Sequence, residues 1–332
     1  GDVFLLSSEG ISGDDSSLAP NFEVLEGTYE EQDPGRFQHM MLKEIFDQPI
    51  SISNAISGRI SADGMNVELG GFSLSRDDFA KLEKINIVAC GSAYYASLVG
   101  VDFLRRFTDI SVEAFRASEF PAKSVCNERT LTIGVSQSGE TKDTLDALQE
   151  AKVHGSNISS FCNVIGSTIS RLTGNGAYLH AGPEFAVAST KAVTNMMISF
   201  ALLSLFLSEN NSEKREIISE MRRLPSRITR QLLEDDGSIH KAVEIIAGAN
   251  SAIFIGRGIS APLTQEGALK MMEVAYLPCI AYPGGELKHG PIALIEEGTP
   301  VIAIAPKDSS LSLMESSIRE CKSRGGRIIL IT

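Results

Sequence analysis

Apolar residues in this chain follow two alternating rhythms. Short unbroken runs rich in Val and Ile, bounded by Gly, Ser or Asn, read as strands buried on both faces. Between them, apolar positions recur three and four residues apart, the spacing of an amphipathic helix. Read this way, residues 85–90, 111–115, 131–135 and 158–162 are strands, with a short one near 177–180. Residues 93–107, 141–154 and the strongly apolar 192–207 are helices. Such a βα succession predicts a doubly wound parallel sheet. A polar helical stretch, 212–233, then leads to the next unit.

The rhythm repeats. The strand 251–255 runs into Gly256 as 85–90 runs into Gly91. The strand 300–305 is followed by Ser309-Ser310 and a helix, matching 131–135 and its Ser-rich turn. Glu320 to Gly325 before the strand 328–331 parallels Glu150 to Gly155 before 158–162. The fold class expected is therefore α/β, with two tandem doubly wound parallel-sheet copies of a flavodoxin-like, three-layer kind. The first copy continues from its matching strand through Leu207, whereas the second meets Thr332 directly after it. A sheet cut there would leave an apolar face and an edge open. The second copy is thus expected to be C-terminally truncated and the chain a fragment. The domains expected are an acidic segment 1–35, a helical linker region 36–80, the first copy 81–211, connecting helices 212–248 and the second copy 249–332.

Residues 1–35, rich in Gly, Ser, Asp and Glu, read as irregular with one short strand near Phe22–Leu25. A helix after Pro34-Gly35 would turn Phe37, Met40, Met41, Ile45 and Phe46 inward. Pro49 should end or kink it, with helix resuming over 51–59. Residues 60–80 read as Gly-rich and weakly structured.

With 332 residues, 43% apolar and 22% charged, the chain has room for two domains. The longest apolar stretch, 196–207, is broken by Ser199 and Ser204 and is too short to span a bilayer. The N-terminus has no basic signal-peptide region, so a cytoplasmic protein is expected. Of the net charge of −12, residues 1–35 hold nine acidic side chains and no Lys or Arg. No basic footprint remains, so neither nucleic acid nor membrane is expected as a partner. Five cysteines lack C-x-x-C spacing, which predicts no disulfide framework, metal or other cofactor; Cys90, Cys162 and Cys279 read as small core residues.

The richest polar cluster is Ser136-Gln137-Ser138-Gly139-Glu140-Thr141, where a strand turns into a helix. Two readings fit it. Ser138 can cap the helix with Thr141 in its first turn. Alternatively, the hydroxyls, Gly139 and the free N–H groups form an uncharged cradle for a sugar phosphate. No Lys of a nucleotide P-loop is present. Further on, Glu266, Lys270 and Glu273 share one face of a helix predicted over 262–276, either as a surface ladder or as acid–base groups. His289 sits in a loop that its Gly and Pro residues keep from being helical. The histidines at 39, 154, 180 and 240 read as structural or solvated.

In order along the chain stand Cys90-Gly91-Ser92-Ala93-Tyr94, the 136–141 segment, Val187-Ala188-Ser189-Thr190-Lys191, Glu266-Gly267-Ala268-Leu269-Lys270-Met271-Met272-Glu273 and Gly285-Glu286-Leu287-Lys288-His289-Gly290-Pro291. Together they resemble the isomerase half of the glutamine–fructose-6-phosphate aminotransferases (glucosamine-6-phosphate synthases), which is built from two sugar isomerase (SIS) domains. The likeness covers roughly 36–332. His39-Met40-Met41-Leu42-Lys43-Glu44-Ile45 is similar to that family's link between glutaminase and isomerase halves. Residues 1–35 would then be the end of a glutaminase domain otherwise absent from this chain.

The resemblance implies conversion of fructose 6-phosphate and ammonia to glucosamine 6-phosphate. It implies that Ser136, Gln137, Ser138 and Thr141 hold the phosphate with Ser92 nearby, and that Val187 and Ser189 contact the sugar. Where the family usually has Gly-Thr-Ser, this chain has Gly91-Ser92-Ala93, without a hydroxyl at 93. Glu273 would move the proton between C1 and C2, with Lys270 counted beside it in the catalytic set. His289 would open the sugar ring from the partner subunit of a homodimer. The family's imine-forming lysine belongs to a C-terminal tail, and neither Lys191 nor Lys270 matches it. A chain ending at Thr332 would then bind fructose 6-phosphate, make no product from glutamine and be slow with ammonia. The competing readings are a SIS-type sugar-phosphate-binding regulatory module and a related amino-sugar-phosphate deaminase or deglycase.

Overall fold

The computed structural model describes residues 4–7, 10–13, 33–209, 211–234 and 236–332. Strands β1 (Phe4–Ser7) and β2 (Gly10–Gly13) pair antiparallel, so part of the segment expected to be irregular is a hairpin. The expected strand at 22–25 lies outside the described residues.

Helix α1 runs unbroken over Met40–Ile56 with Pro49 inside it. Proline removes the N–H that would bond the carbonyl of Ile45. The Gln48 side chain supplies the missing donor, its Nε2 reaching Ile45 O at 3.0 Å, and the helix neither ends nor restarts. Nor is the expected apolar face the buried one. Phe37, Met40, Met41, Ile45 and Phe46 are half-buried, while Glu44, Ser51, Ile52 and Ala55 are buried. Residues 60–80 are also more ordered than their glycines suggest. Val67, Leu69, Phe72 and Phe79 enter the core, and the short helix α2 (Arg76–Phe79) starts from a Ser75–Asp78 capping box.

The first sheet follows: β3 (Lys84–Ala89), α3 (Gly91–Phe107), β4 (Ser111–Arg116), α4 (Ala122–Val125), β5 (Thr130–Ser136), α5 (Lys142–Val153), β6 (Asn157–Cys162), α6 (Thr168–Thr173), β7 (Gly176–Tyr178) and α7 (Lys191–Leu207). Its five strands are parallel in the order β4-β3-β5-β6-β7. Alternation along β3 sends Ile85, Ile87 and Ala89 to the core shared with α1, α3 and α7, and Val88 to the core under α5 and α6. Helix α8 (Asn211–Leu233) is more than a connector, since Ile218 and Met221 join the first of those cores.

After α9 (Ser238–Ile246) the plan repeats with β8 (Ala252–Gly256), α10 (Ser260–Ala275), β9 (Cys279–Pro283), β10 (Pro300–Ile304), α11 (Leu311–Ser323) and β11 (Arg327–Ile331). These four parallel strands lie in the order β11-β10-β8-β9. Taken in chain order, both sheets begin 2-1-3-4, so the duplication read from the sequence is a duplication of topology. Helix α6 and strand β9 were not anticipated as elements, being short or weakly patterned. Among the described residues no helix is long and apolar enough to cross a membrane.

Candidate functional site

In a doubly wound sheet a crevice opens beyond the C-terminal ends of the two strands where chain order reverses. In the first sheet these are β3 and β5, and the two turns flanking the crevice are 90–92 and 136–141. Both lead into helix N-termini.

The turn after β5 is held by its own hydroxyls. Ser136 Oγ accepts from Gly139 N at 3.0 Å and pairs with Thr141 Oγ1 at 2.8 Å; Ser138 Oγ accepts from Glu140 N at 3.2 Å. Gly139 has φ +68°, and an added Cβ there would overlap Ser167 Oγ. The glycine is thus demanded by the protein's own packing as well as by its conformation. Thr141, not Ser138, is the N-cap residue of α5, and no side chain caps the helix. The capping reading is therefore corrected: Thr141 turns to Ser136 and leaves the N-terminus of α5 without a side-chain cap. The acidic Glu140 faces away, its Oε1 accepting from Thr168 N at 2.8 Å, and that bond holds its carboxyl below the usual range.

Asn163, which sequence reasoning passed over, ties this turn to the loop before α7. Its N–H donates to Gln137 O at 3.1 Å. Its side chain accepts from Ala181 N at 2.9 Å and donates to Gly182 O at 2.7 Å. In that loop Val187 is 95% exposed, and Ser189 Oγ donates to Glu184 Oε2 at 2.8 Å. Glu184 Oε1 accepts from Thr190 N at 2.7 Å and Ala192 N at 3.2 Å, capping α7 through its side chain. An acid just ahead of a long apolar helix is the signal that could have found it.

At the turn after β3, Ser92 lies in the first turn of α3. Its Oγ accepts from Lys270 Nζ at 2.9 Å, a donor carried by α10 of the second unit. The same ammonium lies 2.6 Å from Glu273 Oε2 and 3.5 Å from Glu266 Oε1. The three side chains are only 18% (Lys270), 12% (Glu266) and 29% (Glu273) exposed, which is not a solvated surface ladder. Burial pushes the Glu266 carboxyl above its ordinary range, against the opposing pull of Lys270 and Ser92. Its Oε2 is buried without a hydrogen-bond partner among the described residues.

The structure thus joins Ser92, Lys270, Glu266 and Glu273 across the two units, and Ser136 with Thr141, on two sides of one crevice. His289 is exposed and outside these bonds. Its segment is not the non-helical loop expected: residues 287–289 and 291–294 form successive 3-10 turns. A separate cavity of about 390 Å3, lined in part by Arg59, Ser160, Tyr178 and His180, opens beside β6 and β7. All five cysteines are free; Cys162 and Cys321 are buried, Cys90, Cys126 and Cys279 half-buried.

The SIS domain profile matches residues 78–205 and 245–332. The glutamine–fructose-6-phosphate aminotransferase (isomerizing) of Caldanaerobacter subterraneus is 42% identical over 306 residues, 90% of this chain and 50% of the relative. That of Thermus thermophilus is 39% identical over 100% of this chain and 56% of its own length. The chain spans about half the length of these curated relatives. Among solved structures, the C-terminal domain of glucosamine-fructose-6-phosphate aminotransferase from Francisella tularensis aligns with TM-score 0.80 and 32% identity, over 90% of this chain and 85% of that one. Tagatose-6-phosphate ketose/aldose isomerase from Escherichia coli, at 16% identity and TM-score 0.70 over 88% of this chain and 81% of that one, shares the fold. The two parallel sheets of like topology and these matches agree: the chain belongs to the SIS domain family, alongside the isomerase halves of the glutamine–fructose-6-phosphate aminotransferases.

Proposed function

We propose that this chain carries the isomerase chemistry of a glutamine–fructose-6-phosphate aminotransferase. Fructose 6-phosphate and ammonia become glucosamine 6-phosphate and water. The observation that carries the reading is the Lys270–Ser92 bond, which brings an acid–base cluster from one unit to the crevice beside the uncharged Ser-rich turn of the other. That turn suits a phosphate monoester: hydroxyl donors and the open N-terminus of α5, with no fixed cation to favour a polyphosphate.

In this reading Ser136, Gln137, Ser138 and Thr141 hold the phosphate with Ser92 beside them, and Val187 and Ser189 meet the sugar. His289, contributed by the partner of a cytoplasmic homodimer, opens the ring. Ammonia adds at C2 and water leaves, giving an imine. Glu273 then takes the proton from C1 and returns it to C2, the C1 hydroxyl proton passes to the imine nitrogen, and the product is the 2-amino aldose. Lys270 holds the Glu273 carboxylate in place at 2.6 Å.

The test has two arms. Calorimetry with fructose 6-phosphate should show binding that Thr141→Val and Ser138→Ala each weaken by roughly 1–2 kcal/mol, the scale of a hydrogen bond to a charged group. In the full-length protein, Glu273→Gln should keep that affinity and lose isomerisation by about 10²–10⁴-fold, the usual worth of general acid–base catalysis. Unaltered affinity in the double variant, or a loss below tenfold on Glu273→Gln, would overturn the respective assignment.

A further inference from the structure

Resting on that reading, we propose that Glu44 is a positioning residue for the sugar end of the substrate, acting through the loop before α7. The loop carries Val187 and Ser189, and the Val187 side chain is almost fully exposed. Packing therefore does not fix Val187; the backbone anchors of its loop do. Glu184 anchors the end that enters α7. The other anchor is Glu44, 141 residues earlier in the chain, whose Oε1 accepts from Phe185 N at 2.6 Å and Ala186 N at 3.2 Å.

Glu44 is an expensive way to hold two N–H groups. It is 1% exposed, and its Oε2 is buried with no hydrogen-bond partner among the described residues. A buried oxygen without a donor gives up its hydration with nothing in return. A neutral amide acceptor could serve both donors without burying a carboxyl. What a carboxylate adds is a shorter, stronger pair of bonds and hence a stiffer loop.

The rest of α1 supports the same loop and helix. Positions 44, 47, 48 and 51 share one helical face. Asp47 accepts from Lys191 Nζ at 3.2 Å, Gln48 Oε1 from Thr194 Oγ1 at 2.7 Å, and Ser51 exchanges bonds with Asn195. Helix α1 lies outside the residues that match the SIS profile. The sugar-contact loop is therefore set from an element added to the SIS fold. A shift of α1 reaches the loop through Glu44, whereas the phosphate turn is not bonded to α1 by any hydrogen bond among the described residues.

The experiment compares two ligands on the 332-residue chain, by calorimetry: fructose 6-phosphate, which needs both the turn and the loop, and inorganic phosphate, which needs only the turn. Glu44→Ala should weaken fructose 6-phosphate by roughly tenfold or more and phosphate by less than about twofold, the first figure reflecting the loss of a charge-assisted bond pair. Glu44→Gln keeps an acceptor and should shift the same ratio by a smaller factor. Equal weakening of both ligands, as general destabilisation would give, or an unchanged ratio, overturns the proposal. Should Glu44→Ala fail to fold, an unchanged ratio in Glu44→Gln overturns it. Wild-type chain that binds no fructose 6-phosphate overturns the proposed function and this inference with it; wild-type binding with an unmoved ratio in the variants overturns the inference alone.

Discussion

Lys270 Nζ lies 2.9 Å from Ser92 Oγ, so a cation on a helix of the second sheet is held at the crevice of the first. The same cation separates two carboxylates, Glu266 and Glu273, that would otherwise face each other in a half-buried space. Removing it leaves two uncompensated acids. Lys270→Met should destabilise the chain at neutral pH by roughly 1–3 kcal/mol, less than a fully buried pair because the group is partly exposed. Below the carboxylate range both acids are protonated and need no cation, so the loss should fade there. Urea unfolding at the two pH values checks this, and an equal loss at both would refute it.

Glu266 makes a separate pH claim. Its carboxyl is raised above the ordinary 4.5, chiefly by burial. An acid that holds its proton more tightly folded than unfolded stabilises the protein at low pH. That contribution declines as pH rises from the ordinary value through the folded one. In Glu266→Gln this decline should be missing from the stability profile. A carbon-13 titration of Glu266 with its midpoint at or below 4.5 would contradict the assignment.

What the sequence revealed and what it hid divide along physical lines. Most strands of the two sheets were legible because parallel strands buried on two faces are near-continuous apolar runs, as in β8 and β10, whereas β9 at the sheet edge is only partly buried and was missed. The turn at 136–141 was legible because hydroxyls cluster where a strand meets a helix. Glu44 was not, because it occupies a buried face of α1 that apolar periodicity assigns to other residues. Asn163 acts through backbone groups of a separate loop, and no spacing rule records such a pair. Pro49 misled for a local reason, since nothing in the pattern says that Gln48 will fill the vacated bond.

Gly139 is tightly constrained. Its φ of +68° disfavours any L side chain, and Ser167 Oγ occupies the space of a Cβ. Gly139→Ala should therefore cost both conformational strain and a displaced loop, together about 2–4 kcal/mol. Ser167→Gly removes the overlap but leaves the strain, so the double variant should recover only part of the loss. Full recovery by Ser167→Gly, read by thermal unfolding, would show that the backbone conformation costs nothing.

The duplicated fold poses a question of stoichiometry, because each sheet has a switch-point turn. After β10 that turn is Ala305-Pro306-Lys307-Asp308-Ser309, and it lacks the hydroxyl pair formed by Ser136 and Thr141. Asp308 Oδ1 accepts from Ser310 N at 2.8 Å and Ser310 Oγ at 2.6 Å, which keeps its carboxyl below the usual range and so charged at neutral pH. A fixed anion thus stands beside the start of α11, where a phosphate would have to approach. Repulsion between like charges in water is only about 1 kcal/mol at 4 Å. Lys307 offsets part of it. The larger deficit is the missing donors, since Asp308 already takes the backbone N–H and hydroxyl of Ser310. In the first sheet the comparable acid, Glu140, is turned away onto Thr168. One fructose 6-phosphate per chain is therefore expected, bound at 136–141. Calorimetric titration should give a stoichiometry of one that falls to no measurable binding when Ser138→Ala and Thr141→Val are combined with Ser136→Ala. Two sites per chain, or one site that survives those three substitutions, would place the phosphate elsewhere.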